Sequence, residues 1–382
     1  MFEATEYDDR RTNLCARMRR SGLSGVLLAG ETNIAYFSGF HHHTPAAVFA
    51  RPYFLAISAD GRSTLVCHPF LEAEMKRTAS GCEVRASLSA TGLPLDLLVE
   101  ALADLGMDEG PVGMELGREQ RLGISLSEFR LIEAALGPRR IEDASSILWA
   151  VRQIKSPREI EVLRGAAAIT AAAFDRAFLA ARPGMSETDI ARVCEDAMSA
   201  HQLSRPGFIL FASPSEAYSN LARKPSERKL ELGELLWIDM GAVYSGYWSD
   251  FCRAGYMGSK VPRRVADNQK SLMEVNHAMF EACRVGNTMH DIALAGERAL
   301  KRQGHDISIG QGRIGHGIGL LCAEPPHVAL YDETICEPGL VFTIEPRFID
   351  DTGVYNCEQI IAISENGPVF LTDADAQVRT LS

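Results

Sequence analysis

Four acidic side chains and one histidine in the second half of the chain, Asp239, Asp250, Glu345, Glu358 and His316, stand in sequence frames that can bring oxygen and nitrogen donors to one point. Asp239 follows the apolar run Leu235-Leu-Trp-Ile238, where a bare carboxylate is costly to bury unless something pairs with it. Asp250 lies eleven residues on, past a turn expected at Ser245-Gly246, so a hairpin would carry both side chains to one site. Glu345 and Glu358 repeat the device thirteen residues apart. His316 is flanked by Gly315, Gly317 and Gly319, small residues that let backbone or substrate approach closely. Four carboxylates converging without a cation would repel one another and raise their pKa values sharply. Cations resolve that conflict.

The elements that must position these groups are legible in outline. An internal repeat matches Gly184, Ser186, Asp189, Ile190, Ala191, Glu195 and Ala197 to Gly286, Thr288, Asp291, Ile292, Ala293, Glu297 and Ala299 at a constant offset of 102. Each copy reads as a capped amphipathic helix. A strand repeats too: Gly233 to Asp239 and Gly339 to Glu345 both place a carboxylate six residues past a glycine, after an apolar run. Solenoid repeats are much shorter, so this is a duplicated half-domain delivering acids from both halves to a shared centre. Upstream, Gly25 to Gly30, Tyr53 to Ser58, Ser63 to His68 and Val112 to Leu116 are short apolar runs of strand type, with helical patterns at Leu95 to Leu105 and Ser125 to Leu136. That alternation predicts an α/β domain over residues 1–146, followed by a second domain over 147–382. Near the boundary, Ser156-Pro157-Arg158-Glu159 combines an N-cap, a proline at the first helical position and a capping-box glutamate, which start a helix firmly. The first half has no glycine-rich phosphate loop, so no nucleotide is implied.

Composition sets outer limits. At 382 residues the chain exceeds what one hydrophobic core usually serves. A net charge of -11 argues against a general nucleic-acid or anionic-membrane binder. Nine scattered cysteines without a CxxC pair read as reduced thiols of a cytoplasmic protein. The first residues carry both charge signs and no apolar core of a signal peptide, and no apolar run is long enough to span a bilayer.

The string Asp239-Met-Gly-Ala-Val-Tyr-Ser-Gly-Tyr-Trp-Ser-Asp250, followed by Gly315-His-Gly-Ile-Gly-Leu320, Phe342-Thr-Ile-Glu-Pro346 and Glu358, resembles the pita-bread metallopeptidases: methionine aminopeptidase, aminopeptidase P, prolidase and their relative creatinase. The similarity runs from Arg152 to about Thr372, and Thr32 to Phe40 resembles the creatinase-type N-terminal domain. The resemblance implies that fold: a creatinase-type α/β domain, then a pseudo-two-fold pita-bread domain. It also implies two divalent ions. Asp239 would hold one, Asp250 and Glu358 would bridge both, and His316 and Glu345 would complete the other, with Glu345 as proton shuttle. Manganese, iron, cobalt or zinc suit such a donor set, and hard oxygens lean toward manganese or iron. Hydrolysis of a C–N bond through a metal-bridging hydroxide is the implied chemistry, on a small carboxylated amino-acid derivative or an Xaa-Pro-type dipeptide. Relatives of creatinase type pair as homodimers.

Two departures bear on that chemistry. Aligned without gaps, the family's two catalytic histidines fall on Ala222 and Ala323, and His327 is the nearest replacement. Losing one preorganised donor typically costs ~10²–10³ in rate. Their loss leaves room for a lyase of small zwitterionic carboxylates, resembling the dimethylsulfoniopropionate-cleaving branch, or for ring or amidine hydrolysis like that of ectoine hydrolase or creatinase. A non-catalytic binding module is the remaining alternative, against which the intact acid set speaks. Phe49-Ala-Arg51-Pro-Tyr-Phe resembles the creatinase segment whose arginine binds the substrate carboxylate, so Arg51 and His327 are the candidate substrate-binding residues. Adjacent histidines His41, His42 and His43 point to different sides and cannot readily converge on one ion. Cys252, Cys322 and Cys357 are expected to be packing residues.

Overall fold

The computed structural model describes residues 2–42, 51–89, 92–108, 110–137, 140–214, 216–305 and 312–381. It divides into two compact units, Met1–Arg152 and Gln153–Ser382.

Among the described residues the first unit is built on six strands: β1 (Gly25–Leu28), β2 (Phe54–Ser58), β3 (Ser63–Cys67), β4 (Glu83–Ala86), β5 (Val112–Met114) and β6 (Ile141–Asp143). They order as β4-β3-β2-β1-β5-β6. The central strands β1, β2 and β3 pair antiparallel, while β4, β5 and β6 add on in parallel. The strands expected from apolar runs are the buried central ones. The edge strands β4 and β6 carry mostly polar, partly exposed residues, so no apolar run announces them. Leu27, Phe54, Val66, Leu98, Leu102, Val112 and Ile132 fill the core on one face of the sheet. A boundary at 146/147 would cut the helix Ser145–Arg152, whose last residue donates to Asn33 Oδ1 (2.9 Å) inside the first unit.

The second unit contains the duplication. In the first lobe, helices Pro157–Ala180 and Glu187–Ser199 accompany the strands β7 (Ser204–Ala212), β8 (Leu235–Tyr244), β9 (Tyr247–Trp248) and β10 (Phe251–Met257). In the second, helices Arg263–Ala282 and Met289–Arg302 accompany β11 (His316–Gly317), β12 (Glu324–His327), β13 (Val341–Ile344), β14 (Arg347–Asp350), β15 (Gly353–Asn356), β16 (Gln359–Ser364) and β17 (Gly367–Phe370). The last strand, β18 (Arg379–Leu381), returns to the first sheet, which orders as β18-β10-β8-β7; the second orders as β12-β11-β13-β16-β17. Capping boxes at Ser156/Glu159, Ser186/Asp189 and Thr288/Asp291 start three of the four helices. The repeat extends to hydrogen bonding: Gly184 N donates to Leu230 O (2.8 Å) and Gly286 N to Cys336 O (2.9 Å), each tying its helix entry to the segment before the acid-bearing strand. Among the described residues no helix is long and apolar enough to cross a membrane.

Candidate metal centre

Strand β8 brings in the first acid. Its run Leu235 to Ile238 is buried, and the ladder continues past Asp239 to Tyr244, because β7 and β10 supply partners on both sides. Asp239 therefore sits in mid-strand, between Cys252 and Leu210, whereas the sequence suggests a strand ending there. The hairpin turns at Ser245 and Gly246, both with positive φ, and returns Asp250 just ahead of β10. In the second lobe Glu345 directly follows β13, and Ile344 pairs with Gln359, which places Glu358 beside Glu345. The β14–β15 hairpin occupies the interval between them.

His316 is held between close-packed strands. A Cβ on Gly315 would stand 2.1 Å from Thr343 O, and one on Gly317 2.3 Å from Pro325 O. The glycines thus serve strand packing. His316 N donates to Thr343 Oγ1 (3.2 Å), and its Nδ1 lies 3.0 Å from Gly317 O. A carbonyl only accepts, so Nδ1 carries the proton and Nε2 keeps its lone pair. Nε2 faces Asp250 Oδ2 at 3.5 Å and Glu345 Oε1 at 3.9 Å. Ligand atoms of Asp250, His316 and Glu358 all lie within 4.8 Å of one another.

The electrostatics are those of a site short of positive charge. Two ionised carboxylates at such a separation repel by about 3–4 kcal/mol at an effective dielectric of ~20. Burial, then the Glu345 carboxylate, pushes Asp239 up to about 7. Burial and the Asp239 charge push Asp250 well above the usual carboxylate range, and burial with Asp250, Asp239 and Glu345 does the same to Glu358. Burial raises Glu345, opposed by Arg347 and Arg313. Burial and then Arg313 bring His316 down to about 4, so its imidazole is neutral at pH 7. Asp239 Oδ1 is enclosed and has no hydrogen-bond partner among the described residues. Crowded acceptors with few donors beside one bare imidazole nitrogen fit divalent cations.

Three side chains beside the cluster carried weaker signals in the sequence. Cys322, expected to be a packing residue, instead donates its thiol to Asp250 Oδ2 (3.1 Å); Cys252 and Cys357 do pack, in the apolar cores. Arg347 Nη1 lies 3.9 Å from Glu345 Oε2, and Arg313 Nη1 lies 3.0 Å from His327 Nδ1. No spacing rule reveals these contacts, which depend on strands meeting in space. His327 is buried and stands directly opposite His316 on the β11–β12 ladder. Ala222 and Ala323 are both exposed. The loop between His316 and His327 is anchored by a fully buried ion pair, Lys155 Nζ to Glu324 Oε1 (2.8 Å).

In the first unit Arg51 is exposed and contacts His68, in a pocket of about 230 Å³ lined also by His42, Phe70 and Leu71. His42 stacks on Tyr53, and His43 lies outside the described residues. A larger groove of the second unit, about 660 Å³, runs along helix Arg263–Ala282 and shares no residue with the acidic cluster.

Comparison with known proteins places this geometry. Residues 161–371 match the model of metallopeptidase family M24, and residues 10–154 match the creatinase/prolidase N-terminal domain. The chain is 26% identical over 375 residues to an Xaa-Pro dipeptidase of Pyrococcus furiosus, covering 97% of this chain and 99% of that protein. Among solved structures, an Xaa-Pro dipeptidase from Bacillus anthracis superposes with a TM-score of 0.85 at 24% identity, covering 99% of this chain and all of the other. The dipeptidase PepE from Mycobacterium ulcerans superposes with a TM-score of 0.84 at 25% identity, covering 100% and 99%.

Proposed function

The chain belongs to metallopeptidase family M24, and from that membership we propose that it is a metal-dependent hydrolase that cuts the C–N bond of an Xaa-Pro-type dipeptide or a similarly small carboxylated amino-acid derivative. The observation that carries this reading is the meeting of Asp250, His316 and Glu358 within 4.8 Å, in a cluster that also holds the enclosed Asp239 Oδ1, unpartnered among the described residues. Asp239, Asp250, His316, Glu345 and Glu358 would hold two divalent ions, with manganese or iron favoured by the oxygen-rich donor set. When bound, such ions supply Lewis acidity, acidifying water and polarising an amide carbonyl.

The remaining work falls to the chain's own groups. Glu345 has a carboxyl raised by burial and two arginines within electrostatic reach, the setting of a group that takes a proton from water and returns it to a leaving amine. His316 stays neutral and keeps its lone pair toward the acids. Arg51 is the proposed carboxylate-binding residue and His327 a further substrate-binding one, in a protein that acts as a homodimer. Alanine at positions 222 and 323 favours one second reading, a lyase or ring hydrolase working on a small zwitterionic carboxylate with the same centre.

Purified protein supplied in parallel with manganese, iron, cobalt and zinc, assayed on Xaa-Pro dipeptides and on small zwitterionic carboxylates, tests both. Release of proline from a dipeptide is the expected result. Turnover of the zwitterions alone selects the second reading, and fewer than one bound ion per chain under metal-replete conditions refutes both.

A further inference from the structure

We propose that Arg347 anchors the carboxylate of the substrate beside the metal centre, so that the chain acts on molecules whose carboxylate lies one residue from the bond that breaks. The anchor rests on the reading above of a small carboxylated substrate, which both proposed reactions share. The geometry begins with register. Ile344 pairs with Gln359 and Arg347 with Asn356, the same antiparallel register, which sets Glu345 opposite Glu358 between them. Cys357 N donates to Pro346 O (3.3 Å) across the intervening step. Side chains two residues apart on a strand share a face, as do directly opposed ones. Arg347 and Asn356 therefore form the next pair along the face that carries the two glutamates.

Packing agrees with that face. Phe348, Tyr355 and Cys357 alternate with this pair and enter the core with Val265, Leu272 and Val275 of helix Arg263–Ala282. The side chain of Arg347 is 14% exposed, and its Nη1 lies 3.9 Å from Glu345 Oε2, within ion-pair range but beyond a hydrogen bond. Among the described residues its guanidinium donates no hydrogen bond. Burial raises Asp239, Glu345 and Glu358, and the Arg347 guanidinium opposes the rise at all three, so its charge reaches the centre. Asn356 opposite is 4% exposed, and its Oδ1 is enclosed with no partner among the described residues.

A guanidinium is planar, permanently charged and carries five N–H donors in a fork that matches two carboxylate oxygens. Largely enclosing it without hydrogen bonds is costly. Once cations answer the glutamates, Glu345 no longer serves as its counter-charge, and a substrate carboxylate can be both counter-charge and acceptor. The reach is short: Nη1 stands 3.9 Å from a proposed metal ligand, and one residue of extended chain spans ~3.6 Å. A dipeptide or a single amino-acid derivative fits that interval, whereas a longer peptide would place its terminal carboxylate beyond it. A carboxylate has about four acceptor sites, which leaves room for the Arg51 contact proposed above.

Turnover of glycyl-proline and of glycyl-prolinamide by manganese-loaded protein isolates the anchor, because the two differ only in the carboxylate. The wild type should favour the dipeptide ~10–100-fold in kcat/KM, the worth of a charged hydrogen bond. That preference should largely vanish in Arg347→Ala and Arg347→Met, mainly through KM, and Arg347→Lys, which keeps the charge but not the fork, should recover part of it. Metal analysis of the same samples should find wild-type content in all three variants. An equal loss on both substrates, or metal content below that of the wild type, assigns Arg347 to balancing the acids and overturns the anchor; so does a wild type indifferent to the carboxylate. Should the wild type cleave no dipeptide, the hydrolase reading fails, and the same comparison on a small zwitterionic carboxylate and its carboxamide decides the anchor, which falls too if neither is turned over.

Discussion

Both units bury carboxylates, and they treat them in opposite ways. Glu115 of the first unit is 1% exposed, yet its oxygens accept from Ala29 N (2.8 Å), Gly30 N (2.9 Å) and Asn33 Nδ2 (2.7 Å). Burial still raises it, but those three donors pull against the shift and the group asks for nothing from outside the chain. In the second unit four acids share one centre, which meets a thiol, an imidazole nitrogen and an arginine at 3.9 Å. A buried charge met by backbone donors is architecture. A group of charges with few donors among the described residues is a place for something the polypeptide does not supply.

The sharpest way to break the comparison is to remove one side chain from each region. His316→Ala is expected to leave the fold intact while bound metal drops below one ion per chain and dipeptide turnover falls by ~10³-fold or more, equivalent to about 4 kcal/mol. Metal analysis and kinetics on the same sample check it. Glu115→Ala should do the reverse: metal content is retained, but three enclosed donors lose their acceptor and unfolding free energy falls by about 3 kcal/mol, read from urea midpoints. If Glu115→Ala empties the centre, or His316→Ala destabilises as much as it inactivates, the two regions are not different in kind.

Acidity sharpens the contrast further. The cluster's folded pKa values lie above their unfolded ones, so in metal-free protein their contribution to stability is complete below the unfolded carboxylate range and is lost as pH rises through the folded values, about 7 for Asp239. Chelator-treated protein should therefore lose on the order of a few kcal/mol between pH 5 and 8, and added divalent metal should reverse the loss most strongly at the alkaline end. A metal-free Tm that rises over that interval would contradict the charge crowding.

The smaller effects concern groups at the edge. Arg51→Ala should raise KM for a carboxylated substrate by the worth of a charged hydrogen bond, ~1.5–3 kcal/mol, with kcat little changed; an unaltered KM returns Arg51 to the solvent-facing surface. Cys322→Ser replaces one weak donor to Asp250 by another hydroxyl-type donor, so metal affinity should move by less than about tenfold in an isothermal titration. A larger change would mean that the thiol itself touches the ion.

What the sequence reveals follows from how local each signal is. The helix starts at Ser156, Ser186 and Thr288 are readable because a capping box needs only four consecutive residues. The meeting of Asp239 with Asp250 is readable because a hairpin is nearly local, and that of Glu345 with Glu358 because the same plan recurs in the second lobe. The mid-strand position of Asp239 is not, since it depends on β7 and β10 extending the ladder from either side. The thiol of Cys322 on Asp250 and the guanidinium of Arg313 on His327 escape sequence reasoning for the same reason: each joins segments whose approach is set by sheet register. The polar edge strands β4 and β6 carry no apolar signature at all.

The duplication has one more consequence. The first lobe contributes Asp239 and Asp250, and the second contributes His316, Glu345 and Glu358, so neither lobe alone carries the proposed donor set. An ion bound across both would act as a rivet between them: its binding energy accrues only when the two lobes are folded and mated, and occupancy becomes a report on assembly as much as on chemistry.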